Sequence, residues 1–430
     1  MEVTADRSFR RALALIAFGA LAVRIGVAWY FEYHTRAGGD ALWYVGIARF
    51  LPEGIGFVEP LHHNFANVRI ESAAHPPLYP VFLSIIDFLG LDTNLMHRLW
   101  SCVPGTVTVV LVGLIGRDLA GRRAGVVAAV CAAASISLAV QDVLMWSEGF
   151  YGMTIAFVVL LSYRYLRDPS LRGAVLLTVG VSLCALTRAE AALLYFILVV
   201  PLVLRAVDQW RARLRGLLAC ALTALVLFSP WLIYNAGRFE HPVITTTTFG
   251  ALLASSNCPG TYYGPRIGGW GGACAEGMPD PIPRDETVAE VLYRKAGWRY
   301  IKENADRLPV VIPIRLLRTF GFWQPAEITA EDLQLDDAGI SWVAYLAVAQ
   351  YWLYLGLGLV GLWIMRQRRQ PIWPFLAPVI TIAVMTVIGH GTMRFRVGLE
   401  VLLPILVGVA VSTVLARRNH HGVRSGSVAA

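Results

Sequence analysis

The chain has 430 residues, of which 56% are apolar and only 15% charged, with a mean hydropathy of +0.57. Soluble domains carry roughly 25% charge, so this composition excludes a disordered chain, a collagen-like fibre and an ordinary cytosolic enzyme. The net charge of +8 comes from 37 basic against 29 acidic residues, and Lys295 and Lys302 are the only lysines. At this apolar content the chain reads as an all-α polytopic membrane protein. Its arginine excess then reads as a topology signal, with no nucleic-acid partner.

A spanning helix needs about 20 mostly apolar residues. Such runs lie at 11–31, 95–115, 124–140, 149–165, 173–186, 191–204, 216–234, 342–365, 373–388 and 397–415. A further run at 76–89 has only 14 residues and opens on Pro76-Pro77. It is either an eleventh span or an interfacial helix. Arginine placement arbitrates, because short cytoplasmic loops hold the Lys/Arg excess. The clusters are Arg7/Arg10/Arg11, Arg117/Arg122/Arg123, Arg164/Arg167/Arg172, Arg205/Arg211/Arg213/Arg215, Arg366/Arg368/Arg369 and Arg417/Arg418/Arg424. They share one side only if 76–89 does not cross. The sequence thus predicts ten spans in the cytoplasmic (inner) membrane, both termini cytoplasmic, and interfacial helices in the first outer loop. The first span is not a cleaved signal peptide, since Tyr30-Phe31-Glu32-Tyr33-His34 offers no small-residue cleavage site.

This topology divides the chain into an N-terminal membrane module at 1–235 with a first outer loop at 32–94, and a long extracytoplasmic loop at 236–341. C-terminal spans at 342–416 and a disordered cytoplasmic tail at 417–430 follow. Cys102, Cys131, Cys184 and Cys220 lie in apolar runs and read as small buried hydrophobes. Cys258 and Cys274 lie in the second outer loop, where an oxidising exterior permits a disulfide, which we expect. No Cys-x-x-Cys spacing calls for structural zinc. No internal repeat is visible, which argues against a repeat-built transporter.

Ionisable residues at span ends are costly and therefore candidates for function. The outer ends carry Gly38-Gly39-Asp40 with Tyr44, Ala74-His75-Pro76-Pro77, Gln141-Asp142, Trp146-Ser147-Glu148, Thr187-Arg188-Ala189-Glu190, Asn235 with Arg238, and Arg394-Phe395-Arg396 with Glu400. A carboxylate can take a proton from a hydroxyl nucleophile. Arginine and histidine can hold a phosphate and stabilise its developing charge. Apolar helices can receive a lipid tail. Together these describe group transfer from a lipid phosphate to a hydroxyl acceptor. Arg24, in mid-span, is expected to pair internally or to open onto a cavity. Tyr262, Tyr263 and Trp270 offer rings to a sugar or belong to an interfacial aromatic belt.

The order Gly39-Asp40 with Tyr44, His75-Pro76-Pro77-Leu78-Tyr79-Pro80, Ser147-Glu148, Leu186-Thr187-Arg188-Ala189-Glu190, Pro230-Trp231 with Asn235, and Arg394-Phe395-Arg396 resembles the GT-C membrane glycosyltransferases. Within them it is most similar to glycosyltransferase family 39 and the bacterial lipid-A arabinose and core-sugar transferases, over roughly residues 10–415. The resemblance implies a GT-C fold with its catalytic module at 1–235, a polyprenyl-phosphate sugar donor, an inverting transfer and an outward-facing site. It maps the catalytic carboxylate to Asp40 and places His75 near the donor phosphate. His75, Arg188, Arg394, Arg396, Tyr44, Glu148 and Glu190 make up the expected substrate-binding set. The acceptor is a hydroxyl-bearing glycan, lipid or protein, and membrane lipids surround the protein. Asp40 is followed by Ala41, where many protein mannosyltransferases carry Asp-Glu, which argues against protein O-mannosylation. No cofactor is expected to be required; Asp40, Glu148 and Glu190 leave a divalent metal open. The competing readings are a transporter or flippase of a lipid-linked sugar, which needs no general base, and a non-catalytic envelope subunit.

Overall fold

The structure is a computed structural model, which describes residues 2–36, 38–271, 274 and 282–426. Helix α1 (Glu2–His34) leads into a first loop carrying α2 (Asp40–Phe50), α3 (Pro60–Ala66) and α4 (Leu78–Asp87). There follow α5 (Asn94–Ala120), α6 (Arg122–Ala133), α7 (Ile136–Gln141), α8 (Ser147–Arg167) and α9 (Leu171–Thr187). A 3-10 turn (Ala189–Ala192) and a π turn (Tyr195–Val199) lead through α10 (Val200–Ala206) to α11 (Trp210–Asn235). The second long loop folds as α12 (Phe249–Ser256), α13 (Pro259–Tyr262), α14 (Glu286–Glu303), α15 (Leu308–Thr319) and α16 (Pro325–Asp332). Then come α17 (Val343–Gln367), α18 (Trp373–Ile388), a 3-10 turn (Met393–Arg396) and α19 (Val397–Gly426). Among the described residues β-pairing is confined to one isolated bridge, Val58 to Glu71.

Seven helical segments among the described residues are long and apolar enough to cross a bilayer: Arg7–His34, Asn94–Ala120, Ser147–Arg167, Ala189–Ala206, Trp210–Asn235, Val343–Gln367 and Met393–Ala416. The other three apolar runs take shorter forms. Helices α9 and α18 reach only about 25 Å at 1.5 Å per residue, against a hydrocarbon core of about 30 Å. The run at 124–140 breaks into α6 and α7 because Ser135 leaves the helix and its hydroxyl accepts from the Leu138 N–H. The segment at 191–204 is not a regular α-helix. Pro201 has no N–H to close the preceding turn, and the backbone widens into the π turn. Helix α4 reaches only about 15 Å, too short to cross. At the C-terminus no proline follows Pro404 within α19, which extends as far as Gly426. Residues 427–430 of that tail lie outside the described residues.

Helices α8 and α19 form the centre: 78% of each apolar window is buried, against 22% for α1 and α11. Small residues make this possible. A β-carbon on Gly361 or Gly408 would run into the carbonyl of Leu406 or Ala124, so α19 meets α17 and α6 backbone to backbone. On the periphery Leu15, Phe18, Phe196 and Ile233 stay exposed, as lipid-facing side chains do.

The two ends of the bundle differ in chemistry. One end gathers the arginine clusters. Arg167 donates to the Asp118 carbonyl at 3.0 Å, Gln370 to the Leu119 carbonyl at 3.0 Å, and Arg368 to Thr413 Oγ1 at 3.0 Å. At the other end both long loops fold over the helix termini. Arg98 holds Glu32 at 3.0 Å, and Tyr30 donates to the Ala338 carbonyl at 3.0 Å.

A disulfide joins Cys258 to Cys274, with the α-carbons 5.8 Å apart. Closing a segment of this length stabilises by about 3 kcal/mol on a chain-entropy basis. Dithiothreitol is therefore expected to accelerate limited proteolysis between residues 258 and 274. Cleavage at an unchanged rate would contradict the stabilising role.

Candidate active site

The loop between α1 and α2 ends on Gly39, whose φ of 56° is open to glycine and strained for other residues. That turn starts α2 at Asp40. Gly39 occupies the cap position, and the Asp40 carboxylate turns instead toward the end of the bundle. There Asp40 Oδ2 accepts from Arg394 Nη2 at 2.5 Å. Arg394 Nε donates to Glu148 Oε1 at 2.7 Å, and its guanidinium lies 4.0 Å above the Trp146 ring. The same Glu148 oxygen accepts from Arg188 Nη1 at 2.8 Å, and Arg188 Nε donates to Glu190 Oε1 at 2.5 Å. The result is an alternating chain: Asp40, Arg394, Glu148, Arg188, Glu190. Its middle is buried: Glu148 is fully buried, and its Oε2 has no hydrogen-bond partner among the described residues. Its end is open, with the Asp40 side chain one-third exposed.

Arg188 and Glu190 are two residues apart and would not share a face of an α-helix. They meet because Arg188 is extended, at φ −143° and ψ 121°, and Glu190 lies in the 3-10 turn that follows. Arg394 and Arg396 are also two apart, and the same kind of turn separates them. Arg396 points away from the charged chain. It pairs with Glu400 at 2.7 Å and lies 4.0 Å above Tyr351, almost fully buried. Arg396 thus packs between Glu400 and Tyr351, apart from the charged chain.

His75 stands on the other side of Asp40, with Nε2 3.8 Å from Oδ1, too long for a hydrogen bond. Its ring packs on Trp43 at 5.0 Å and on Tyr44 at 4.8 Å. Tyr44 is itself buried and donates to Ser147 Oγ at 3.2 Å. Tyr44 thus fixes His75 and the start of α8. Burial alone would raise the Asp40 carboxyl. Arg394, His75 and Arg188 outweigh it and hold the group well below the ordinary carboxylate range. Burial lowers the His75 imidazole, against the upward pull of Asp40, so His75 is neutral at pH 7. It would offer a phosphate an N–H, not a charge.

The second long loop holds both edges of this arrangement. Glu286, in the first turn of α14, accepts from Ser72 Oγ at 2.6 Å, the Ala73 N–H at 2.8 Å and Thr247 Oγ1 at 2.6 Å. Thr246 and Thr248 donate to the Ala74 carbonyl. Residues 72–74, which lead into His75, are thereby fixed. On the opposite edge Asp332 accepts from Thr392 Oγ1 and the Met393 N–H, each at 2.7 Å, just before Arg394. Sequence reasoning missed Glu286 and Asp332. Each acts on a segment far away in the chain, and Asp285-Glu286 reads locally as an ordinary helix start. Removing the Glu286 acceptor leaves buried donors unpaired, at about 1–3 kcal/mol each. Glu286→Ala is expected to lower the thermal midpoint in detergent by several degrees. An unchanged midpoint would contradict the buttressing role.

Deeper in the bundle Arg24 pairs with Asp142 at 2.7 Å, both buried. A β-carbon on Gly105 or Gly149 would overlap the Asp142 carboxylate, so glycine is required on both sides of it. This pair ties α1 to the α7–α8 turn below the charged chain. Tyr262 is buried, donates to Asn257 Oδ1 at 2.9 Å and meets no solvent, so it is structural; Tyr263 and Trp270 remain exposed. Among the described residues no three His, Cys, Asp or Glu side chains are grouped to hold a metal. Asp40, Glu148 and Glu190 each pair with an arginine.

Residues 74–234 match the family model described as dolichyl-phosphate-mannose-protein mannosyltransferase. The match includes His75, Glu148, Arg188 and Glu190 but neither Asp40 nor Arg394. No curated protein sequence matches the chain. Among solved structures, the archaeal oligosaccharyltransferase AglB from Archaeoglobus fulgidus, in complex with an inhibitory peptide and a dolichol-phosphate, is similar with a TM-score of 0.54 at 15% identity. The alignment covers 99% of this chain and 52% of that one. The apo form of the Archaeoglobus fulgidus oligosaccharyltransferase gives 0.53 at 14% identity, covering 98% and 52%. ArnT from Cupriavidus metallidurans, bound to undecaprenyl phosphate, gives 0.42 at 14% identity, covering 93% and 77%. The chain spans about half the length of the oligosaccharyltransferases it matches. It has the fold of the GT-C membrane glycosyltransferases, and it is similar to them in sequence over residues 74–234.

Proposed function

We propose that this protein is a membrane glycosyltransferase. It moves a sugar from a polyprenyl-phosphate donor to a hydroxyl of a glycan, lipid or protein acceptor by an inverting single displacement. The observation that carries this reading is the charged chain with one open end. Asp40, Arg394 and His75 are each about a quarter to a third exposed, while Glu148 behind them is buried.

The donor phosphate competes with Asp40 for Arg394, and His75 adds an N–H. Arg188, held by Glu148 and Glu190, supports the same negative charge from behind. Once Arg394 turns to the phosphate, Asp40 loses the partner that suppresses its basicity. The acceptor oxygen then forms its bond to the anomeric carbon as the bond from that carbon to the phosphate oxygen breaks. Asp40 takes the hydroxyl proton, and the arginines hold the leaving phosphate. On the positive-inside rule the arginine end is cytoplasmic. The site is then extracytoplasmic, with ten crossings and both termini inside.

The experiment is a screen of synthetic polyprenyl-phosphate sugars with purified protein in detergent, in the presence of hydroxyl acceptors. Release of polyprenyl phosphate together with a glycosylated product is expected. A transporter would leave every donor intact, since it needs two compartments and no base. Turnover is expected to survive EDTA, because Arg394 and Arg188 can offset the phosphate charge without a metal. Loss in EDTA with recovery in magnesium or manganese would overturn that part.

A further inference from the structure

Helix α14 and helix α15 differ sharply in what they expose. On α14 the exposed positions are 294, 295, 298, 299, 302 and 303, one continuous stripe at helical spacing. They hold Arg294, Lys295, Trp298, Arg299, Lys302 and Glu303. Both lysines of the chain lie on this stripe. Four cations stand against Glu303 and against Glu290, which lies 3.7 Å from Arg294. Trp298 on this stripe is about half exposed. The opposite face of α14 is occupied, as Thr287, Ala289 and Gly297 are buried and Gly297 meets the Leu253 backbone of α12. Four residues after α14, helix α15 exposes Pro309, Val310, Pro313 and Leu317, all apolar. Its polar side chains Arg315 and Arg318 are turned inward and buried.

We propose that the α14–α15 segment lies on the bilayer surface beside the bundle and recognises anionic lipid headgroups. The apolar stripe of α15 enters the acyl boundary, Trp298 sits at the interface, and the cations of α14 meet the headgroup phosphates. A basic stripe with one tryptophan, followed after a four-residue turn that exposes Asp306 by an exposed apolar stripe, is what an interfacial anchor requires. A soluble anionic polymer would satisfy the cations but not the uncovered apolar face of α15.

The two lysines make the test specific, because amine acylation of side chains reads this face alone. The full chain is placed in nanodiscs of phosphatidylcholine, or of the same lipid with about 30% phosphatidylglycerol. Uncharged N-hydroxysuccinimidyl acetate is added, and modification of Lys295 and Lys302 is followed by mass spectrometry. Acylation is expected to be at least about fivefold slower in the anionic discs at low salt. That difference should vanish at about 0.5 M salt, and should shrink in Arg294→Gln/Arg299→Gln, which keeps both lysines. Equal rates in the two discs would overturn the proposal. Slowing by dissolved polygalacturonate in that case would assign the face to a soluble anionic polymer.

Discussion

Asp40→Asn is expected to lower turnover by about 10²–10⁴-fold, the usual contribution of a positioned general base. Donor binding should survive or improve, because the amide no longer competes with phosphate for Arg394. Steady-state turnover and donor titration on the same purified protein check both halves. The pH profile sharpens the assignment. Arg394 holds the free-enzyme carboxyl below its ordinary value of about 3.9, so Asp40 is ionised throughout the neutral and mildly acid range. The stability that this pair contributes is then present above the unfolded value, and is lost only as pH falls through the lower folded one. No acid limb from Asp40 is expected in kcat/KM between about pH 7 and pH 5. Asp40→Asn with normal turnover would remove the base from the mechanism.

Glu148→Ala is expected to damage the fold more than any other single change at the site. Glu148 is buried and joins two arginines through one oxygen. Its removal leaves Arg188 and Arg394 facing each other with a single carboxylate each, in a largely buried environment. Breaking a buried ion pair from one side costs about 3–5 kcal/mol. The thermal midpoint should fall steeply, and the monodisperse fraction on size exclusion with it. Glu148→Gln keeps the shape and an acceptor, and should fall between. A midpoint equal to wild type for the alanine variant would mean that the two arginines do not depend on this anion.

Much of this was legible in the sequence, because it follows from composition and local chemistry. Apolar runs located the bundle helices, and the arginine clusters marked one end of it. Asp40, Glu148, Arg188 and Glu190 were legible as costly charges at span ends, and they do converge. What stayed hidden depends on backbone detail or on distant partners. Arg394 and Arg396 look equivalent in sequence, yet one turn of 3-10 helix sends them to different carboxylates. The irregular segment at 191–204 stayed hidden too, because a proline early in a helix, like Pro201, is also an ordinary start. Glu286 and Asp332 had no local signature, since each fixes a segment tens or hundreds of residues away.

The most direct test of a single displacement driven by Asp40 is the anomeric configuration of the product, read by NMR against that of the donor. Inversion is the predicted result. Retention would instead require two displacements through a glycosyl-enzyme intermediate, and would contradict the role of Asp40 as base.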